Sequence, residues 1–214
     1  MTGPVIKICG VKTAEALEAA IAARAEYTGF NFFAPSPRFL PHADAAALGA
    51  AAEGRIRKVG VFVDAGDAAL AEAVAAARLD AVQLHGRETP ERAAQVRARF
   101  GLPVWKVVSV ASAGDIAKAG AFAGAADFIL FDAKTPKDAA LPGGLGLVFD
   151  WSLLAAYRGP LPWGLAGGLG PDNVAEAVRQ TGAPLVDVSS GIENAPGVKD
   201  PGKIAAFCAN ARAA

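Results

Sequence analysis

Short apolar runs rich in Val, Ile and Phe recur along the whole chain, and their number restricts the fold more than any other feature. They are Val5–Cys9, Tyr27–Phe33, Lys58–Val63, Ala81–His85, Val104–Val110, Asp127–Phe131, Trp163–Ala166 and Leu185–Ser189. Each has the length of a buried strand. Stretches of helical character lie between them. Thr13–Arg24 opens on a hydroxyl cap and carries Leu17, Ala20, Ile21 and Arg24 at helical spacing. Thr89 precedes Pro90 at a first helical position, and that run ends at Phe100 before Gly101. Pro171–Gln180 and Asp200–Ala214 also read as helices. A strand followed repeatedly by a helix implies a parallel sheet, because parallel neighbours need a crossover between them. Eight such units without a composition break predict one domain over residues 1–214, an α/β chain whose parallel sheet closes into a (β/α)8 TIM barrel. An open doubly wound sheet is the alternative.

Composition narrows the function. The chain is 53% hydrophobic and 20% charged, which excludes a disordered polypeptide. A formal net charge of zero gives no whole-surface attraction for nucleic acid or an anionic membrane, although a local basic patch could hold a phosphate. The two cysteines, Cys9 and Cys208, make neither a disulfide framework nor a zinc motif, which fits a reducing compartment. Met1–Lys7 lacks an apolar signal region, and Gly, Pro or charge breaks every apolar run before the ~18–20 residues of a membrane span. A cytoplasmic protein is expected, a monomer in preference to a dimer, with no metal, nucleic-acid or membrane partner.

In such a barrel the chemistry lies at the C-terminal strand ends and in the loops that follow. Cys9, Asn31, Asp64, Gln83 with His85, Asp132, Gly167 with Gly168, and Ser189 with Ser190 occupy those positions. Strand side chains alternate between faces. Val5, Lys7 and Cys9 therefore share a face, as do Ala81, Gln83 and His85, and Phe128, Leu130 and Asp132. Polar groups on these faces make sense pointing into the barrel mouth. Cys208, on the last helix, reads as a small buried hydrophobe, and His42, after Pro41, as a structural residue at a helix start. The glycine-rich segments Leu165–Pro171 and Ser189–Gly191 follow the seventh and eighth runs, where barrels commonly bind phosphate through backbone amides. The long connection Ala133–Phe149 is expected to act as a lid. Lys7 should pair inside the barrel with Asp187, because the last strand closes against the first and a buried ammonium needs a partner.

Seven motifs, taken in order, resemble the phosphoribosylanthranilate isomerase family of tryptophan biosynthesis. They are Lys7-Ile8-Cys9-Gly10, Ser36-Pro37-Arg38, Val59–Val63, Val82–Gly86, Gly143-Gly144 with Phe149-Asp150-Trp151, Ala166–Leu169 and Val186–Glu193. The resemblance implies a cofactor-free isomerase acting on a phosphorylated small-molecule substrate. It implies Cys9 as general base, Asp132 as general acid and Arg38 as partner of a carboxylate, with Gln83 and His85 also at the substrate. Gly167, Gly168, Ser190 and Gly191 would sit at the phosphate. Gly144–Val148 departs from the family by carrying apolar residues where a small hydroxyl residue and a lysine are expected. For an acid–base pair, Asp132 needs its pKa raised and Cys9 needs its pKa lowered. The alternatives are the related barrel isomerase of histidine biosynthesis, expected to carry Asp where this chain has Cys9, a Schiff-base aldolase using Lys106 or Lys134, and a phosphate-binding module without catalysis.

Overall fold

The computed structural model describes residues 3–133, 146 and 149–214. Eight parallel strands close into a barrel in sequence order: β1 (Val5–Cys9), β2 (Tyr27–Asn31), β3 (Arg57–Phe62), β4 (Ala81–Leu84), β5 (Val104–Val110), β6 (Phe128–Ala133), β7 (Trp163–Leu165) and β8 (Leu185–Val188). β8 pairs with β1 through Lys7 and Asp187, which closes the ring. Closure rules out the open doubly wound alternative. β1 and β5 have the expected bounds, and the other six strands begin or end one or two residues from theirs. The largest consequence is at β6, where Asp132 lies within the strand rather than after it.

The helices form the outer layer: α1 (Ala14–Ala22), α2 (His42–Ala52), α3 (Asp67–Ala77), α4 (Pro90–Phe100), α5 (Ala113–Ala117), α6 (Val174–Thr181) and α7 (Pro201–Arg212). Their ends follow local chemistry. Thr13 Oγ accepts the Ala16 amide at 3.2 Å, Thr89 Oγ the Arg92 amide at 3.3 Å and Asp200 Oδ1 the Lys203 amide at 2.9 Å. Pro90 and Pro201 fill first helical positions, and Gly101 terminates α4 at φ +63°. Two differences from the sequence reading stand out. Among the described residues, β6 is followed by a 3-10 helix at Trp151–Ala156 instead of an α-helix. α6 starts at Val174 rather than Pro171, because the Asn173 side chain captures the backbone before it: Oδ1 accepts the Gly170 amide at 2.8 Å and Nδ2 donates to Gly168 O at 2.9 Å.

Alternation along the strands builds two cores. Ile6, Ile8, Phe30, Phe62, Phe131 and Val186 face the helices. Val59, Ala81, Trp105, Val107, Leu130 and Leu185 fill the barrel interior with Val5, Tyr27 and Phe128. Tyr27 meets Trp105 edge-on at 5.0 Å, and Trp105 lies 4.7 Å from Phe128. The interior below the mouth is therefore packed, leaving the C-terminal end for polar groups. At the opposite end, acidic residues just before even-numbered strands latch the preceding strand: Glu26, Asp80 and Asp127 accept from the amides of Ile6, Lys58 and Val104 at 2.7 to 2.9 Å.

Candidate active site

Cys9 ends β1 on the inward face and is partly exposed. Two residues below it, the Lys7 ammonium meets Asp187 Oδ1 at 3.0 Å, with side-chain exposures of 0% and 7%. Strand parity and ring closure imply this pair, and it forms. Gly29 on β2 makes room for it: a Cβ there would lie 2.9 Å from Cys9 Sγ and 3.2 Å from Lys7 Nζ. Any larger residue at position 29 would displace one or the other.

Burial disfavours the charged form of Lys7, but Asp187 and Cys9 outweigh it and hold the ammonium pKa above its usual value. Burial pushes the Asp187 carboxyl upward, against the pull of Lys7. Burial also pushes the Cys9 thiol upward. Lys7 and then Lys199 oppose that push, while Asp187 adds to it. The expected net lowering of the Cys9 pKa is thus not what the packing around the thiol produces. Lys7 acts in the expected direction, and desolvation exceeds it.

Asp132 projects from β6 toward the same mouth. Its Oδ1 accepts the amide of Ala133 at 2.8 Å. Its Oδ2 lies 3.2 Å from His85 Nε2, off the line of a good hydrogen bond, so that buried nitrogen has no hydrogen-bond partner among the described residues. Gln83 is 1% exposed, and its Oε1 is likewise unpartnered. Such orphaned buried polar atoms, gathered in one cavity mouth, are groups a bound polar molecule could satisfy.

The two glycine segments come together as expected. Gly167 and Gly168 adopt φ +84° and +63°. A Cβ on Gly167 would press on Asp132 Oδ1 at 2.7 Å, so this turn must be glycine for Asp132 to keep its place. A Cβ on Gly191 would collide with Leu169 O, which shows how closely the turns after β7 and β8 approach. Ser190 and Gly191 open a short 3-10 turn at Ser190–Ile192.

Arg38 follows β2 and is 6% exposed. Its Nε and Nη2 donate to Glu193 Oε1 and Oε2, both at 2.8 Å. One edge of the guanidinium fork is therefore committed to a protein carboxylate. Lys106 does not reach the mouth. It lies on the opposite parity from Trp105, donates to Glu88 Oε2 at 2.7 Å and Gly86 O at 2.7 Å, and sits 5.9 Å from the Phe122 ring centroid in the helix layer. That removes it as a Schiff-base lysine. Lys134, Gly143, Gly144 and nearly all of the expected lid fall outside the described residues; Gly146, which is described, would place a Cβ 3.8 Å from Ser190 Oγ.

The family model for N-(5'-phosphoribosyl)anthranilate isomerase matches residues 6–210. The chain belongs to this family. An N-(5'-phosphoribosyl)anthranilate isomerase of Cereibacter sphaeroides is 54% identical over 99% of this chain and 100% of its own. The same enzyme of Paramagnetospirillum magneticum is 53% identical over 97% of this chain and 96% of its own. Among solved structures, phosphoribosyl anthranilate isomerase of Thermotoga maritima superposes with a TM-score of 0.89 at 33% identity, covering 99% of this chain and 100% of that one. A phosphoribosyl anthranilate isomerase structure in complex with reduced 1-(o-carboxyphenylamino)-1-deoxyribulose 5-phosphate superposes at 0.86 with 32% identity, over 99% of this chain and 100% of that chain. As a member of this family of isomerases, the chain is an enzyme.

Three members of the mouth are given no role in the sequence reading: Glu193, which only closes one of the family motifs, Lys199 and Asn173. Glu193 and Lys199 lie in a hairpin after β8, β9 (Glu193–Ala195) with β10 (Val198–Lys199). Lys199 Nζ donates to Glu193 Oε1 at 2.7 Å and to Ser189 O and Oγ at 2.9 and 3.2 Å. Pro196-Gly197 between charged residues signals a turn, but no pattern in the chain announces that it folds back over Arg38. Among the described residues, no group of three or more His, Cys, Asp or Glu is arranged to hold a metal ion, and no helix is long and apolar enough to cross a membrane.

Proposed function

We propose that the protein performs the Amadori rearrangement of N-(5'-phosphoribosyl)anthranilate to 1-(2-carboxyphenylamino)-1-deoxyribulose 5-phosphate, a step of tryptophan biosynthesis, with Asp132 as general acid and Cys9 as general base. The observation that carries the assignment is the pair of inward-facing titratable groups, Cys9 ending β1 and Asp132 near the end of β6, at one mouth and three strands apart around the ring. The relatives' activity and the product analogue of the solved complex support the substrate.

The Asp132 carboxyl proton passes to the furanose ring oxygen. The C1–O bond breaks, and the nitrogen lone pair forms C1=N. The Cys9 thiolate then removes the proton from C2. The C2–H electrons form C1=C2, and the C1=N pair returns to nitrogen. The Cys9 thiol then gives its proton to C1, the C1=C2 pair forming that C–H bond, while the C2 hydroxyl proton leaves to solvent and C2=O forms, giving the ketone. His85, 3.2 Å from the Asp132 carboxylate, can hand a proton to it between turnovers. Lys7 and Lys199 favour the Cys9 thiolate against the cost of burial. Arg38 takes the anthranilate carboxylate, and Gln83 offers its unpartnered Oε1 to a sugar hydroxyl. Gly167, Gly168, Ser190 and Gly191 turn backbone amides toward the phosphate. No cofactor is required, because the rearrangement moves protons and electron pairs within one molecule and needs no external oxidant or reductant.

Loss of the substrate's fluorescence on conversion is the assay. Cys9→Ala and Asp132→Asn should each lower kcat by at least ~10²-fold while the fold survives. Near wild-type turnover in either variant would remove that residue from the mechanism. Size-exclusion chromatography separates the expected monomer from a dimer, the state named for one Thermotoga maritima relative.

A further inference from the structure

The most connected carboxylate in the mouth belongs to neither Asp132 nor Asp187. Glu193, with a side chain 5% exposed, accepts four hydrogen bonds. Oε1 takes Arg38 Nε at 2.8 Å and Lys199 Nζ at 2.7 Å; Oε2 takes Arg38 Nη2 at 2.8 Å and the Gly197 amide at 3.1 Å. Lys199 is itself buried, with a side chain 1% exposed. Its three acceptors, Glu193 Oε1, Ser189 O and Ser189 Oγ, match the three protons of an ammonium. Lys199 therefore orients the turn after β8 instead of reaching a ligand. Ser189 Oγ in turn donates to the backbone carbonyl of Cys9 at 3.2 Å. The hairpin also leans on the loop after β2, since a Cβ on Gly197 would collide with Pro37 O. One carboxylate thus joins the arginine at one end of the mouth to the serine–glycine turn at the other.

We propose that Glu193 is a positioning residue that couples the two ends of the substrate site, holding the Arg38 guanidinium and, through Lys199, the Ser189–Gly191 turn in one register. This rests on the reading that Arg38 meets the anthranilate carboxylate and the turn meets the phosphate. The physical reason is shared ordering. Whichever end is occupied first draws its cation into the liganded position, and the Glu193 carboxylate, bonded to both cations, carries the other end toward the arrangement its own ligand needs. Charge-assisted hydrogen bonds make the linkage stiff. An amide in place of the carboxylate turns an –NH2 donor toward cations that are themselves donors, so Arg38 or Lys199 loses a partner.

Anthranilate and inorganic phosphate are the two probes, each mimicking one end. Titration calorimetry measures the anthranilate Kd with and without saturating phosphate. In the wild type, phosphate should tighten anthranilate by ~5-fold or more, the lower end of ordinary site–site coupling. In Glu193→Gln that factor should fall to about one, KM should rise ~10-fold or more, and kcat should stay within ~3-fold. Glu193→Asp keeps the charge but is one methylene short, so it reaches only one of the two cations and should also lose the coupling; it serves if the glutamine variant does not fold. Lys199→Met should weaken phosphate and spare anthranilate, an asymmetry that simple loss of stability does not produce. Absence of coupling in the wild type, or its survival in both Glu193 variants, overturns the proposal while leaving the two ends assigned. If neither probe competes with substrate, the assignment of the ends fails, and the coupling with it.

Discussion

Replacing Lys7 by Met tests whether the buried cation governs the reactivity of Cys9. Lys7 Nζ and Cys9 Sγ both lie within 3.2 Å of the point where a Gly29 Cβ would sit, which places them in direct electrostatic contact. An opposite charge this near favours the thiolate and draws its pKa down. Asp187, 3.0 Å from the same ammonium, cancels part of that field. The inflection of the Cys9 alkylation rate with iodoacetamide, followed against pH, should therefore move to higher pH in Lys7→Met. Asp187→Asn removes the opposing charge and should shift it down. In the double variant Lys7→Met/Asp187→Leu the inflection should lie between wild type and Lys7→Met, because Lys7 acts on Cys9 more strongly than Asp187 does. Cys208 does not confuse the readout, since burial pushes its thiol up to about 11. Stability gives an independent check. Removing one partner of a buried pair costs ~3–5 kcal/mol, and at ~2–4 °C per kcal/mol for a chain of this size Tm should fall by roughly 6–20 °C in Lys7→Met. The double variant, which strands no charge, should recover most of that. An unchanged or lowered Cys9 inflection in Lys7→Met would refute the electrostatic role and leave Lys7 as packing.

Gly167→Ala should lower kcat by ~10-fold or more with a smaller effect on KM, since the new methyl presses on Asp132 Oδ1 and strains a φ of +84°; unchanged kcat would mean that Asp132 tolerates displacement. Glu88→Ala should lower Tm by roughly 10 °C or more, because it strands the Asp64 and Gly86 amides and the Lys106 ammonium, which now bond to a buried carboxylate at 2.7 to 2.9 Å; calorimetry checks this, and a shift of only a few degrees would show that water replaces the carboxylate. Burial works against the Glu193 carboxylate, but Arg38 and Lys199 hold its pKa below the usual glutamate value. Its contribution to stability is therefore present above the unfolded value of about 4.5 and is lost as pH falls through the lower folded value. Glu193→Gln should flatten the fall of Tm below pH ~4.5, and a profile as steep as the wild type's would deny the linkage.

Much of the fold is legible in the chain because it follows from local chemistry. Strand-length apolar runs, a proline after Thr89 and a glycine after Phe100 set α4 and its neighbours whatever the tertiary context. Alternation assigns Lys7, Cys9, Gln83 and Asp132 to one interior, and the pairing of Lys7 with Asp187 follows once eight parallel strands must close. The start of α6 does not follow, because a side chain competing for backbone groups, Asn173, decides it. Nor does the net effect on Cys9, since desolvation depends on everything packed around the thiol and not on the lysine two residues away. Arg38 reads from sequence as a fork open to a ligand, yet Glu193, 155 residues further on, holds one edge of it. Sequence alone determined which residues line the barrel, because strand periodicity is a local property. Tertiary structure alone decided how their charges are shared, because Glu193 and Lys199 reach the mouth only when the hairpin after the last strand folds back across it.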